Sequence, residues 1–223
     1  MTWALSTRWA PMRDEAPDLD AVRALAPPAI ALARGLPERL TAQVRQLARE
    51  LSMVWVESPW PDADVDRLDT ADRHLRGDAV RAALKTLEAA NSLEVHRVVA
   101  EVSSAGDDLR FALDPLLSAA ERNGVVIGLR GSVQAPAIKA LLGEFSGAPL
   151  GWVVDLEQPL DLVEAVGDRA VAYVLPNDDE RDLAGWRDRL TQDLPRVLDP
   201  GPGDPPEALH ERAEALLAAL APE

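Results

Sequence analysis

PLLSAAERNGVVIGLRG, residues Pro115–Gly131, holds a helix, its stop and a strand in one short stretch. Asp114 and Pro115 have the chemistry of a cap and a first helical position, and Gly124 suits the residue that ends a helix. VVIGLRG (Val125–Gly131) is then an apolar run of strand length. It is nearly continuous in apolar character, which suits a strand covered on both faces, as in a parallel sheet.

The same unit repeats outward in both directions. Upstream lie the runs Trp3–Ala10, Ala29–Arg34, Leu51–Trp60 and Val95–Ser103, and downstream lie Leu150–Glu157, Ala170–Asn177 and the short Arg196–Leu198. Helical stretches separate them. Asp18 caps DLDAVRALA, and LPERLTAQVRQLARE is apolar at 40, 44, 47 and 51. DAVRAALKTLEAANS is apolar at 80, 83, 84 and 87, and further helices are predicted over 133–145, 160–166, 183–194 and 206–220. PDADVDRLDTADRHLRGD, after the third run, reads as the longest loop. Eight strand–helix units predict a (β/α)8 TIM barrel, an α/β fold, as a single compact domain over residues 1–223. A doubly wound open sheet competes with it, but no glycine-rich nucleotide loop follows any strand. At 223 residues the chain is shorter than the ~250 of a typical barrel, so short loops are expected.

Composition narrows the function. The formal net charge is −15, which repels nucleic acid and anionic lipid, so neither a nucleic-acid nor a membrane partner is expected. There is no cysteine, which excludes disulfides, thiolate metal sites and a cysteine nucleophile. No apolar stretch is long enough to span a bilayer, and the first seventeen residues do not read as a secretory signal, so a cytoplasmic, acidic protein is the expectation.

Barrel chemistry sits at the C-terminal ends of the strands. Strand alternation sends Met53, Trp55 and Glu57 inward from the third run, and Arg97, Val99, Glu101 and Ser103 from the fourth. From the fifth it sends Val126, Gly128 and Arg130, and from the sixth Gly151, Val153, Asp155 and Glu157. Glu57, Glu101, Asp155 and Glu157 are the candidate acid/base groups; Arg8, Arg34 and Arg130 are candidate cations for an anionic ligand. Asp199 ends the eighth run, and Asn177 is a candidate ligand contact at the seventh. Trp9 and Trp60 fall at strand ends, where a sugar could stack, whereas Trp3, Trp55 and Trp152 read as core. Arg130 either plugs the barrel by pairing with Asp155 or Glu101, or holds an anionic ligand. His74 lies near the long loop, His96 at a strand start and His210 on the last helix as a surface residue; no two share a metal-ligand spacing.

Pro115–Gly131, LGWVVDLEQP (150–159) and the DPGPGDPPEALHERAEALLAAL ending resemble the xylose-isomerase-like barrels, a family of sugar-phosphate isomerases and epimerases. The resemblance implies a divalent metal held by strand-end carboxylates and a histidine. It also shows where this chain departs from that pattern. Arg130 stands at the fifth-strand glutamate position, Asp155 matches the sixth-strand aspartate with no histidine beside it, and Pro176-Asn177-Asp178 replaces a histidine–aspartate pattern. The resemblance therefore implies a degenerate member, a pseudoenzyme with no cofactor and a divalent metal unlikely. Such a barrel would bind a small anionic or sugar-like ligand or act as an interaction protein with a protein partner. The alternative is an active metal-independent or weakly metal-dependent isomerase or epimerase using the strand-end carboxylates.

Overall fold

The computed structural model describes residues 3–13, 16–34, 36–60, 67–176, 183–187, 189–190, 193–200 and 204–221. Eight strands form the barrel: β1 (Trp3–Ser6), β2 (Ala29–Leu32), β3 (Ser52–Ser58), β4 (Arg97–Glu101), β5 (Val126–Arg130), β6 (Leu150–Asp155), β7 (Ala170–Leu175) and β8 (Arg196–Leu198). Each pairs in parallel with the next, and β8 pairs with β1, so the sheet closes. Helices α1 (Leu19–Leu25), α2 (Thr41–Glu50), α3 (Arg73–Ser92), α4 (Asp107–Asn123), α5 (Ala135–Glu144), α6 (Asp161–Val166), α7 (Ala184–Arg187) and α8 (Pro206–Ala219) alternate with the strands. The fold is the expected (β/α)8 barrel. Among the described residues no helix is long and apolar enough to cross a membrane.

Two helix starts differ from the sequence reading. α4 begins at Asp107, capped by Gly106, and runs through Pro115 instead of starting there. Proline removes one backbone donor and crowds the preceding turn. Phe111, Asp114 and Pro115 all lie on the exposed side of the helix, away from the core. α3 starts at Arg73, inside the segment read as loop, because the Asp72 carboxylate accepts the N–H groups of His74 (2.8 Å) and Leu75 (3.2 Å). His74 is thus an exposed first-turn residue. The Asp18 cap on α1 and the left-handed Gly124 after α4 are as expected.

Apolar residues form two layers. Outside the sheet, Leu5, Ile30, Val56, Ile127, Trp152 and Tyr173 pack against helix residues such as Leu47, Leu87, Leu113, Leu141 and Leu209. Inside it, Ala4, Ala29, Ala31, Trp55, Val99, Val153, Val174 and Val197 fill the barrel. Glycine is required at two inward positions. A Cβ on Gly151 would lie 2.3 Å from the Arg169 carbonyl oxygen, and one on Gly128 would lie 2.7 Å from Val171 Cγ2. His210, expected on the surface, is half-buried and meets Trp3 edge-on with ring centroids 5.2 Å apart. His96 is exposed where the chain enters β4.

Candidate functional site at the barrel mouth

Alternation brings Glu57, Glu101, Arg130 and Asp155 to the C-terminal mouth, and neighbouring turns add Arg8, Arg34 and Asp199. Register sets their depth. Glu101 lies level with Arg130, whereas Glu57 lies level with Val99, two residues lower on β4. Glu57 is therefore the buried floor of the cluster. Arg8 follows β1 on a short 3-10 turn (Thr7–Trp9) and reaches across to Glu57 (2.7 Å) and Glu101 (2.9 Å). Arg34 gives its backbone N–H to Glu57 (3.1 Å) and its guanidinium to Glu101 (2.9 Å). Arg130 pairs with Asp199 at 2.7 Å and stands 3.4 Å from Asp155 and 3.5 Å from Glu57. Three guanidinium groups and four carboxylates thus share one network.

The electrostatics follow from that geometry. Burial opposes the charge of Arg130, but Asp199, Glu57 and Asp155 outweigh it and hold its pKa above the ordinary value. Arg8 behaves alike through Glu57, Asp199 and Glu101. Burial pushes Glu101 up, yet the hydrogen bond and charge of Arg8, with Arg34 and Arg130, bring it below the ordinary value. Asp155 goes the other way. Burial raises it, and neither the Glu157 N–H nor the longer Arg130 contact fully offsets that. It is the least well-paired carboxylate of the four.

These opposite shifts predict a pH dependence. Glu101 contributes stability that is present above its unfolded pKa of about 4.3 and is lost as pH falls through its lower folded value. Asp155, raised in the fold, favours folding at low pH, and that contribution is lost as pH rises through its folded value, above about 3.9. Asp155→Asn cannot titrate, so its stability relative to the parent should rise with pH over that window. Urea midpoints from pH 4.5 to 8 measure it; a difference that does not vary with pH would show that Asp155 bears no such penalty.

The other expected site residues lie elsewhere. β6 ends at Asp155, so alternation stops there and Glu157 turns out to the surface, giving its backbone N–H to Asp155 Oδ1 (2.9 Å). β4 ends at Glu101, and Ser103 instead joins a loop anchored on Asp69, which accepts the Ser103 N–H (2.8 Å), the Ser103 hydroxyl (2.7 Å) and the Ser104 N–H (2.6 Å). Burial pushes Asp69 up, and these bonds more than reverse it. Trp9 and Trp60 are 4% and 3% exposed and present no open ring face at the mouth. Trp9 Nε1 donates to the Asp204 carbonyl (2.9 Å), tying the first turn to the approach to α8. Asn177 lies outside the described residues. Asp199 ends the eighth run, but β8 is three residues long, too short to show which way it faces, and nothing in the sequence marks Asp69.

No protein-family model matches the sequence, and no curated protein matches it. Solved structures do match over nearly the whole chain. A D-tagatose 3-epimerase-like protein superposes with TM-score 0.77 at 14% identity, covering 99% of this chain and 100% of that one. The IOLI protein with a bound zinc atom gives 0.72 at 14%, covering 99% and 98%. A Thermus thermophilus protein soaked with zinc chloride gives 0.69 at 21%, covering 98% of each chain. These likenesses show the fold, a TIM barrel of the kind seen in the D-tagatose 3-epimerase-like protein. The site departs from a metal centre: the Arg130 guanidinium stands among Glu57, Asp155 and Asp199, where a cation would have to sit. Among the described residues no three histidine, cysteine, aspartate or glutamate side chains are grouped to hold a metal.

Proposed function

We propose that the barrel mouth binds a neutral, hydroxyl-rich small molecule, a sugar, without a divalent metal. The observation that carries this reading is the shared network of three arginines and four carboxylates. Such a surface offers donors and acceptors side by side, and each sugar hydroxyl uses both. A phosphate would have to take guanidinium groups from carboxylates that already hold them, within a cluster carrying one more negative group than positive. Arg8 and Arg34 are the most solvent-exposed members and would meet the ligand first. The fold neighbours named for sugar epimerases support the substrate class.

D-fructose and D-tagatose should raise the melting temperature, while inorganic phosphate at equal concentration should not. A ligand at a hundred times its Kd stabilises by about 2.7 kcal/mol. For a chain of this size that is roughly 5–10 °C. Stronger stabilisation by phosphate, or one tightly held divalent ion per purified chain, would overturn the reading.

The raised pKa of Asp155 favours a second reading, a metal-free isomerase or epimerase. In it Asp155 shuttles the proton and Arg130 stabilises an enediolate-like charge. Deuterium entering the carbon-bound positions of a ketohexose in heavy water, and no longer entering with Asp155→Asn, would establish it.

A further inference from the structure

A cleft of about 530 Å³ opens between the loop after β5 and the loop after β6. That is within the ~300–1,000 Å³ typical of ligand pockets. The two loops begin at the mouth itself, since Arg130 ends β5 and Asp155 ends β6. One turn separates cleft from mouth. In it Gln158 N–H donates to the Asp155 carbonyl (3.0 Å), and Gln158 Nε2 donates to the Gly131 carbonyl (3.1 Å). The loop after β5 is pressed onto the residue that follows β4: a Cβ on Gly131 would lie 1.8 Å from the Val102 carbonyl oxygen. The cleft is thus built on fixed backbone.

Its lining is of two kinds. Val133, Pro136, Pro159 and Leu162 supply apolar faces, and Gln134 and Gln158 supply amides. Because the Gln158 nitrogen is committed to Gly131, its Oε1 is left buried with no hydrogen-bond partner. A buried acceptor in that state is costly, and Gln158 lines the cleft, so a shift of its side chain that exposes Oε1 would let it accept from a ligand hydroxyl. Glu157 and Asp161 are charged lining residues, and among the described residues no lysine or arginine lines the cleft. That disfavours phosphate and carboxylate. Apolar plates with polar edges and no cation match a pyranose ring, whose C–H face is apolar and whose rim carries hydroxyls.

We propose that this cleft is the subsite for a second sugar ring, so that the ligand of this barrel is a disaccharide or similar glycoside. The proposal rests on the mouth binding a sugar. Calorimetry would compare D-fructose with fructose carrying a second hexose at O3, O4 or O6 (turanose, maltulose, isomaltulose). At least one disaccharide should bind ten-fold or more tightly than D-fructose. Ser132→Trp, at an exposed loop position, and Ala135→Trp, at the first turn of α5, should each fill the cleft. They should abolish that advantage and leave D-fructose affinity within two-fold. Equal affinity for D-fructose and every disaccharide, or an advantage that survives in both variants, overturns the subsite while the mouth reading stands. Binding of no sugar by the parent protein overturns both.

Discussion

Arg130→Met is expected to cost about 3–5 kcal/mol, the range for removing one partner of a buried ion pair. In a barrel of this length that lowers the melting temperature by roughly 6–20 °C. Methionine keeps much of the volume and removes the charge together with its hydrogen-bond donors. The groups left behind have almost no water: the Glu57 side chain is 2% exposed and that of Asp199 5%. Arg130 itself is 13% exposed and touches three carboxylates at once. Arg8 cannot replace it, because it already serves Glu57 and Glu101 and lies 3.9 Å from Asp199. By contrast, exposed pairs such as Arg81 with Asp78 on α3 are worth about 0–1 kcal/mol. The deficit should shrink as pH falls, since a protonated carboxyl no longer needs the counterion. Urea unfolding at pH 7 and 4.5 measures both effects. A variant within 1 kcal/mol of the parent at pH 7 would mean that the network relaxes around the gap or takes up water.

The barrel and its inward-facing residues were legible because strand alternation and helical period are local. Val125–Gly131 alone puts Arg130 inside, and the same rule puts Glu57, Glu101 and Asp155 there. The pairing was legible only in part: Arg130 does meet Asp155, at 3.4 Å. Whether its other partner is Glu101 or Asp199 depends on the stagger between strands, and that is set by the closure of the whole sheet. The register leaves Glu57 two residues below Glu101 and gives Arg130 to Asp199. Failures also cluster where a strand stops. Glu157 and Ser103 each lie two residues beyond the last residue of their strand, and the turn there sends them away from the mouth. Pro115 misled because proline suits a helix start, whereas here it lies inside α4 on the exposed side of the helix.

Trp55→Ala should be nearly as damaging as Arg130→Met, through volume instead of charge. Truncating a buried large side chain costs about 3–5 kcal/mol, more where the site cannot collapse. Trp55 is 1% exposed and packs inside the barrel among Ala4, Ala29 and Ala31 of β1 and β2, side chains too short to close over the gap. Its Nε1 is buried with no hydrogen-bond partner, so the indole is there to fill space and its polar atom is a liability. Trp55→Phe removes that atom and keeps a ring, and should cost about 1 kcal/mol, offsetting a smaller void against the relieved donor. The position also bears on the mouth, since Trp55 precedes Glu57 by two residues on the same inward face of β3. With the ring gone, Glu57 loses its support, and the contacts that Arg8, Arg34 and Arg130 make with it should loosen. Sugar affinity should therefore fall in Trp55→Ala and persist in Trp55→Phe. Equal stability of the two variants in urea would show that the interior repacks, and the mouth would then stand on its ion pairs alone.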